Sequence, residues 1–243
     1  MEESVLQKLI DKSSRIVFFG GAGVSTESGI PDFRSTDGLY SMKYDFPPEV
    51  ILSHSFFKSN PKEFFRFYFD KMIYPGAKPN AAHIKLAELE KKGKLKAVVT
   101  QNIDGLHQLA GSKNVYELHG SVHRYYCEKC GVFHTLNEVF ALKDASKDGV
   151  PRCACGGVVK PDVVLYEERL DTETIEKSVE SIASGDLLIV GGTSLNVQPA
   201  AGLISYFSGN DVVLINKTPT PYDKKASLVL REPIGEVLGK IRV

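Results

Sequence analysis

A glycine-rich turn near the start of the chain is the first group of residues able to bind a ligand. The turn, Gly20-Gly21-Ala22-Gly23-Val24-Ser25-Thr26, follows an apolar run and is expected to lead into a helix. Backbone amides in such a turn, together with a helix amino end, form an anion site suited to a pyrophosphate. Read as G-x-G-x-x-G from Gly21, the pattern has Thr26 in place of the last glycine, and residues 41–45 do not resemble the segment that carries a dehydrogenase's ribose-binding acid. The turn predicts phosphate binding without the complete dehydrogenase fingerprint.

Polar residues also follow three other apolar runs. In an open α/β sheet a ligand binds beyond the carboxyl ends of the strands, so groups that follow such runs meet in one crevice. Any one of the three groups is equally well explained as a polar turn, but all of them together with the glycine turn favour a nucleotide site. The groups are Gln101-Asn102-Ile103-Asp104, Gly192-Thr193-Ser194 and Asn216-Lys217.

The four cysteines form two close pairs. Cys127 and Cys130 are separated by two residues, and Cys153 and Cys155 follow after a gap of 22 residues. Four thiolates suit a closed tetrahedral zinc site that stabilises a small module and leaves no position for a catalytic water. Two alternatives stay open: a redox pair, or the replacement of one thiolate by His123 or His134, because the second pair is tighter than C-x-x-C.

His119 is the candidate general base. It lies in Glu117-Leu118-His119-Gly120, just before the cysteine-bearing segment, where it could reach both the crevice and a cleft between domains. From position alone a structural histidine is an equally good interpretation. His54 and His83 are interpreted as packing or surface residues, and the acidic runs 167–168 and 173–176 as solvated faces.

The elements that must position these residues are predicted from apolar runs and helical spacing. Continuous apolar runs at 15–20, 96–100, 186–191 and 211–216 predict strands buried on both faces of a parallel sheet. Helical spacing predicts helices at 80–92, 172–184 and 199–208, each ended by a left-handed glycine, and places Ile175, Val179 and Ile182 on one face of the second. The alternation predicts a doubly wound α/β sheet.

Two connections are too long for that alternation, since compact folds usually join elements with ~2–6 residues. Residues 35–79 and 121–159 are therefore expected to build a second, smaller domain. We divide the chain into a larger domain, 1–34, 76–120 and 161–243, and a smaller one, 35–75 and 121–160. Aromatic residues at helical spacing predict a small helical core in the first connection: Phe56, Phe57, Phe64, Phe65, Phe67, Tyr68, Phe69 and Tyr74.

The composition argues against several classes of partner. The 243 residues carry 30 Lys and Arg and 30 Asp and Glu, so no net positive field attracts a nucleic acid or an anionic membrane. The longest apolar stretch, residues 16–24, contains three glycines and is far shorter than the ~18 residues of a membrane span. Acidic residues in the initial MEESVLQKLI are unlike a signal peptide, so a cytoplasmic location is expected.

The order of these motifs resembles the sirtuins, the NAD-dependent protein lysine deacylases. The resemblance extends from Gly21 to Asn216 and so covers almost the whole chain. Besides the paired cysteines, its motifs are Gly21-Ala22-Gly23-Val24-Ser25, Gly29-Ile30-Pro31-Asp32-Phe33-Arg34, Thr100-Gln101-Asn102-Ile103-Asp104-Gly105-Leu106-His107, His119-Gly120, Lys160-Pro161-Asp162-Val163-Val164, Gly192-Thr193-Ser194-Leu195 and Ile215-Asn216.

The resemblance implies a Rossmann-like domain and a smaller domain of helices and a zinc ribbon, with NAD and acyl-lysine peptide meeting between them. It implies catalytic roles for His119 and Asn102, metal ligation by Cys127, Cys130, Cys153 and Cys155, and peptide binding at Val163 and Val164. The NAD-binding residues that it implies are Gly21, Ala22, Gly23, Ser25, Thr26, Asp32, Phe33, Arg34, Gln101, Asn102, Ile103, Asp104, His119, Gly192, Thr193, Ser194, Asn216 and Lys217, with Ile234 at the adenine.

The reaction implied by the resemblance consumes NAD. The acyl carbonyl oxygen attacks the ribose carbon that bears nicotinamide, which releases nicotinamide and leaves an alkylamidate. His119 takes a proton from the ribose hydroxyls so that the 2′ oxygen attacks the amidate carbon, and water completes the release of lysine and 2′-O-acetyl-ADP-ribose. No hydride moves, so the dehydrogenase fingerprint is not required. The alternative functions are mono-ADP-ribosyl transfer and a catalytically silent NAD-sensing zinc module.

The chain departs from the family pattern at three places. The second cysteine pair is Cys153-Ala154-Cys155 instead of C-x-x-C, and Tyr166-Glu167-Glu168 replaces the usual Phe-Gly-Glu. Members that prefer acidic acyl groups carry a Tyr-x-x-Arg pair, which aligns with Tyr68-Phe69-Asp70-Lys71 here. Without the arginine, the pocket is expected to favour uncharged acyl groups such as acetyl.

Overall fold

The structure is a computed structural model that describes residues 2–33, 38–39 and 44–243. Within these residues the strands are β1 (Ile16–Gly20), β2 (Leu95–Thr100), β3 (Val115–Glu117), β4 (Gly120–Cys127), β5 (Phe133–Thr135), β6 (Val159–Val163), β7 (Leu187–Gly191), β8 (Asp211–Ile215) and β9 (Leu228–Leu230). The α-helices are α1 (Glu2–Lys12), α2 (Pro48–Ile51), α3 (His54–Ser59), α4 (Pro61–Lys71), α5 (Ala81–Lys91), α6 (Leu106–Leu109), α7 (Leu136–Ala145), α8 (Thr172–Ser184) and α9 (Ile234–Gly239).

The described strands form a parallel sheet in the order β3-β2-β1-β7-β8-β9. The four predicted strands are confirmed as β2, β1, β7 and β8, the four central positions of this sheet. Their continuous apolar runs are almost fully buried because helices cover both faces. The edge strands β3 and β9 were not predicted, since each has only three residues and is largely half-buried.

Two apolar cores cover the two faces of the sheet. Leu6 of α1, Leu86 of α5 and Leu238 of α9 pack on one face together with Phe18 of β1. Ile182 of α8 packs on the other face, with Ile175 and Val179 partly buried beside it as predicted. The doubly wound α/β architecture is therefore confirmed.

The predicted ends of the helices are partly wrong. Gly93 has a φ of 73° and ends its helix in the left-handed region as predicted, but Gly185 has a φ of −67° and Gly209 is not left-handed. Close packing explains these two glycines, since a Cβ on Gly185 would lie 3.3 Å from the Arg15 carbonyl oxygen and one on Gly209 2.5 Å from the Phe207 ring.

The third predicted helix, 199–208, is also wrong in type. Residues 200–206 form a 3₁₀ helix instead of an α-helix. Gly202 lies at its centre, and a mid-helix glycine disfavours the α-helical conformation.

A smaller group of elements packs beside the carboxyl edge of the large sheet. It contains the antiparallel sheet β5-β4-β6, helix α7 and the short helices α2 to α4. The aromatic run forms its core as predicted: Phe57, Phe64 and Phe65 are almost fully buried and pack edge to face, with ring centroids 4.9–5.9 Å apart. No helix among the described residues has the length and apolar character to cross a bilayer.

Candidate active site

The glycine turn rests on the loop that follows β7. The Gly23 amide donates to the Gly192 carbonyl oxygen at 2.8 Å, and a Cβ on Gly23 would lie 2.8 Å from the Gly192 Cα atom. A Cβ on Gly21 would similarly meet Thr193 at 2.9 Å. Only glycine allows the two loops to approach this closely. The turn leads into helical structure as expected, but into two short 3₁₀ helices, Ala22–Val24 and Thr26–Ser28, instead of one continuous helix.

A polar network joins the glycine turn to the residues that follow β2. The Ser25 hydroxyl donates to Asp104 Oδ2 at 2.7 Å and accepts from Asn102 Nδ2 at 3.0 Å. The Asp104 carboxylate also accepts from the Leu106 amide at 2.9 Å. Ser25 is 1% exposed, so this network fixes the rotamers of all three side chains.

Gln101 connects the ends of three adjacent strands. Its amide donates to the Gly20 carbonyl oxygen at 2.9 Å, and its side chain donates from Nε2 to Thr193 Oγ1 at 3.1 Å. The end of β8 joins the same edge, since the Gly192 amide donates to the Ile215 carbonyl oxygen at 3.0 Å. The structure therefore brings the four polar groups together at one edge of the sheet.

His119 lies directly beside this edge. Its Nδ1 atom is 2.9 Å from the Gln101 carbonyl oxygen, which can only accept. The proton is therefore on Nδ1, and Nε2 has a free lone pair. Burial lowers the pKa of His119, and this outweighs the opposite effect of the hydrogen bond to Gln101. A neutral imidazole with an unprotonated Nε2 is the form that a general base requires.

Val164 links His119 to the smaller antiparallel sheet. The Val164 amide donates to the His119 carbonyl oxygen at 3.0 Å, immediately after β6 ends at Val163. Strand β6 pairs with β4 on one side only and is an edge strand of its sheet within the described residues. The candidate base and an edge strand therefore lie next to each other.

The four cysteines converge at the far end of the same sheet. All four Sγ atoms lie within 4.8 Å of one another, with 3.4 Å between Cys127 and Cys155 and 3.7 Å between Cys130 and Cys153. A tetrahedral zinc ion with Zn–S bonds of ~2.3 Å requires about 3.8 Å between sulfurs, whereas a disulfide requires about 2.05 Å. The cluster therefore fits zinc. In the described residues it contains no histidine, so the replacement of a thiolate by His123 or His134 is not observed.

Comparison with known proteins decides the family. The model of the Sir2 family matches residues 21–199, which is most of the chain. The chain belongs to the Sir2 family. The resemblance to the sirtuins, and the Rossmann-like fold with a zinc-binding module that it implied, are thereby confirmed.

The relatives of this Sir2 chain are similar to it over nearly their whole length. A protein of Clostridium acetobutylicum named NAD-dependent protein deacetylase is 62% identical over 239 residues, which cover 97% of this chain and 96% of the relative. A protein of Cutibacterium acnes with the same name is 52% identical over 235 residues, 96% of this chain and 94% of the relative.

Solved Sir2 structures have the same fold. A complex of Sir2 with a p53 peptide and NAD+ is 40% identical and superposes with a TM-score of 0.87, covering 98% of this chain and 96% of that one. A Sir2 variant with deacetylated p53 peptide and 3′-O-acetyl ADP-ribose is 39% identical with a TM-score of 0.90 and the same coverage.

The remaining implied NAD-binding residues of the Sir2 chain are more scattered. Phe33 is half-buried against the aromatic core, and Arg34 lies outside the described residues. Lys217 is exposed, while Ile234 is 4% exposed and belongs to the core of the large sheet. The Asn216 side chain donates to the Thr218 carbonyl oxygen at 2.8 Å, and none of the residues in the described ranges donates to its Oδ1 atom.

In the stretch that aligns with the Tyr-x-x-Arg pair, Tyr68 is 0% exposed in the aromatic core and the Lys71 ammonium pairs with Asp70 at 2.9 Å. The preference for uncharged acyl groups stays a prediction. One expectation about this Sir2 chain needs correction. Glu168 is not on a solvated face, because its carboxylate contacts His54 at 2.8 Å and Lys160 at 3.1 Å.

Sequence reasoning missed two residues that hold the glycine turn. Asn80 caps α5 and donates from Nδ2 to the Val24 carbonyl oxygen at 2.8 Å and to the Ser28 hydroxyl at 3.0 Å. An Asn before a helix signals a cap, but not this second role. Glu27 accepts from the Gly235 amide at 2.6 Å, and nothing in the sequence links positions so far apart.

Two buried histidines pack below the polar network. His83 and His107 are 0% and 1% exposed, and their ring centroids are 4.6 Å apart. Burial lowers the pKa of His83 to about 4, against an opposing effect of Asp104. Burial, and then the neighbouring His83, lower the pKa of His107 to about 3. His83 is thus a packing residue, as expected from the sequence.

This pair is expected to make the fold sensitive to acid. The unfolded chain protonates histidine near 6.5, so between pH 6.5 and about 3 the unfolded state binds more protons and the free energy of unfolding falls as the pH falls. Between pH 7 and pH 5 the free energy of unfolding, measured with urea, should fall by about 2 kcal/mol less in a His107→Leu variant than in the wild type. A His134→Leu variant controls for the loss of a histidine, and equal losses in wild type and His107→Leu would contradict the prediction.

Proposed function

We propose that this chain is an NAD-dependent protein deacetylase. It transfers the acetyl group of an acetylated lysine to the ADP-ribose part of NAD and releases lysine, nicotinamide and O-acetyl-ADP-ribose. Relatives named NAD-dependent protein deacetylase, identical at up to 62% of positions, support the proposal. The observation that carries it is the position of His119, whose Nδ1 atom lies 2.9 Å from the Gln101 carbonyl oxygen at the polar strand ends and whose own carbonyl oxygen accepts from the Val164 amide.

The chain contributes to NAD binding with backbone amides, with side-chain hydrogen-bond acceptors and with the glycine turn. Gly23 carries no side chain, which its close approach to Gly192 requires. The same lack of a side chain leaves the backbone amides of the turn accessible to the pyrophosphate. The Asn102 and Asp104 side chains, fixed by Ser25, face the nicotinamide and its ribose. When bound, NAD would supply an activated glycosidic bond, whose ribose carbon is the electrophile that the acetyl oxygen attacks as nicotinamide leaves.

The other residues implied by the family are assigned in the same way. Thr193, Ser194, Asn216 and Lys217 bind the phosphates and the adenosine ribose. The Oδ1 atom of Asn216 suits a ribose hydroxyl, which donates. The further contacts with NAD are assigned to Ala22, Thr26, Asp32, Phe33, Arg34, Ile103 and, at the adenine, Ile234.

His119 acts as the general base. Its Nδ1 proton is held by the Gln101 carbonyl oxygen, so Nε2 accepts the proton of a ribose hydroxyl. The lowered pKa of the ring keeps this atom unprotonated at neutral pH. Asn102 contributes to catalysis by orienting the ribose that bears nicotinamide. Its own side chain is held in place for this role by the hydrogen bond to Ser25.

The substrate peptide adds as a strand next to Val163 and Val164. The edge position of β6 supports this assignment, and the contact between the Val164 amide and His119 brings the acylated lysine to the base. The active cleft then lies between a larger domain, 1–34, 76–120 and 161–243, and a smaller one, 35–75 and 121–160. A cytoplasmic location and the lack of a nucleic acid partner stay predictions from the sequence.

The deciding experiment is mass spectrometry of an acetyl-lysine peptide incubated with the protein, with and without NAD. We expect loss of the acetyl mass and release of nicotinamide only when NAD is present. Acetyl loss without NAD would contradict the mechanism. ADP-ribosylation of unacetylated protein at a comparable rate would instead favour mono-ADP-ribosyl transfer, and binding without turnover an NAD-sensing module. A succinyl-lysine peptide, compared at equal concentration, should react more slowly than the acetyl peptide.

A further inference from the structure

The segment that follows β6 is held by three ionisable side chains, Lys160, Glu168 and His54, which we call the Glu168 cluster. Lys160 Nζ lies 3.1 Å from Glu168 Oε2, and His54 Nδ1 lies 2.8 Å from Glu168 Oε1. The side chains of Lys160 and Glu168 are only 18% and 20% exposed. Charges buried to this extent lose hydration, so each needs several close partners to be retained.

Those partners are backbone groups on both sides of Val164. Lys160 Nζ donates to the carbonyl oxygens of Val163 at 3.0 Å and Pro161 at 3.3 Å. Glu168 Oε2 accepts from the Leu165 amide at 2.9 Å. The cluster therefore occupies the carbonyl that precedes Val164 and the amide that follows it.

Val164 itself is left with one free backbone group. Its amide donates to the His119 carbonyl oxygen at 3.0 Å. Its carbonyl oxygen accepts no hydrogen bond from any residue that the structure describes. The neighbouring carbonyl of Leu165 is occupied by the Glu168 amide at 3.0 Å. Along this stretch, the Val164 carbonyl is the acceptor that remains for a strand added from outside.

Glu168 also ties this segment to helix α3. His54 begins α3, and its amide donates to the Tyr166 carbonyl oxygen at 3.0 Å while its ring contacts Glu168. Burial acts to raise the pKa of Glu168, but the hydrogen bonds from His54 and Leu165 and the charge of Lys160 outweigh it. The pKa is therefore lowered overall, and the carboxylate is ionised at neutral pH. An ionised Glu168 can bind the Lys160 ammonium and the Leu165 amide at the same time.

We infer that Lys160 and Glu168 are positioning residues for the acyl-lysine peptide. By holding the Val163 carbonyl and the Leu165 amide, they orient the Val164 carbonyl toward the cleft, where it accepts from a backbone amide of the peptide. The inference rests on the proposed deacetylase function. It adds two side chains that do not touch the substrate but set the geometry of its binding strand.

The test measures steady-state kinetics of acetyl-peptide deacetylation by a Lys160→Met variant. Methionine keeps most of the side-chain volume and removes the charge and the donors. We expect the peptide KM to rise about ten-fold, the size expected when hydrogen bonds from a charged group are lost, with kcat changed less than about three-fold. The dissociation constant of NAD, measured by calorimetry, should change less than about two-fold because the cluster does not contact the glycine turn.

Two further variants separate positioning from a general loss of stability. Lys160→Arg keeps the charge and the donors and should restore a peptide KM within about three-fold of the wild type. Lys177→Met removes a lysine from the exposed Glu173–Lys177 pair, whose side chains are 73% and 53% exposed, and should leave all constants unchanged. If Lys160→Met does not fold, Glu168→Gln replaces it, since glutamine keeps the side-chain size but not the charge.

Each outcome bears on a different part of the argument. A wild-type protein that does not deacetylate the peptide would overturn the proposed function. An active wild type combined with an unchanged peptide KM in Lys160→Met, whether or not its melting temperature falls, would overturn the positioning role alone. An equal rise of the peptide KM and the NAD dissociation constant would show a general distortion of the cleft and would also overturn it.

Discussion

Replacing His119 with alanine is expected to lower kcat for deacetylation by about a hundred- to ten-thousand-fold, the contribution usual for a positioned general base. The hydrogen bond from His119 Nδ1 to the Gln101 carbonyl oxygen leaves Nε2 as the proton acceptor, and alanine has no equivalent atom. NAD binding should be retained, because Gly23, Asn102 and Asp104 are positioned by contacts that do not include the imidazole. Peptide turnover and calorimetric NAD titration of the same preparation measure both effects.

The pH dependence gives an independent check of this role. Since burial lowers the pKa of His119, the acid limb of kcat/KM in the wild type should have its midpoint below the usual histidine value of about 6.5. A His134→Ala variant removes a histidine of the small sheet and should keep both kcat and this limb. Retention of deacetylation by His119→Ala, or loss of NAD binding equal to the loss of kcat, would show that His119 is not the base.

The central part of the fold could be predicted from the sequence because burial leaves a local signature. The runs that became β1, β2, β7 and β8 are apolar without alternation, which is typical of strands covered on both faces. Strands β3 and β9 have three residues each and lie at the sheet edges, where one side is open and the apolar signal fades. The glycines that end α8 and the 3₁₀ helix serve tertiary packing, which no local pattern records.

The candidate site shows the same division between local and distant causes. Polar residues at strand ends could be found because topology alone brings them together. The residues that hold these polar side chains in place could not be found from the sequence. Glu27 binds the Gly235 amide 208 positions away, and Glu168 binds His54 across 114 positions. For Glu168, an acidic pair in a polar stretch is typical of a solvated face, and only the three-dimensional contacts with Lys160 and Leu165 reveal a buried role.

A Cys130→Ala variant is expected to lose the metal and much of the stability of the smaller sheet. Structural zinc bound by four thiolates contributes about 10–16 kcal/mol of apparent binding free energy, and three thiolates with an open position hold it far less well. Metal analysis should find about one zinc per wild-type chain and a small fraction of that in the variant. The melting temperature should fall by at least about 10 °C, and chelation of the wild type should reproduce this fall.

The control is Ala154→Ser, which changes the residue between Cys153 and Cys155 without removing a thiolate and should keep the metal. A redox role would give the opposite pattern: wild-type protein without metal, a reversible disulfide, and a stability that does not respond to chelators. The distances of 3.4 and 3.7 Å between sulfurs favour the metal, since both exceed a disulfide bond by more than 1 Å.

Loss of the metal should weaken peptide binding more than NAD binding. Strands β4 and β6 pair at both ends, with Cys127 opposite Val159 at one end and Gly120 opposite Val163 at the other. His119 and Val164 directly continue this second end, whereas the glycine turn packs on β7 in the large sheet. A chelated or Cys130→Ala protein that stays folded should therefore show a raised peptide KM with nearly unchanged NAD affinity. A weakened NAD affinity with an unchanged peptide KM would mean that the cysteines do not stabilise the peptide-binding strand.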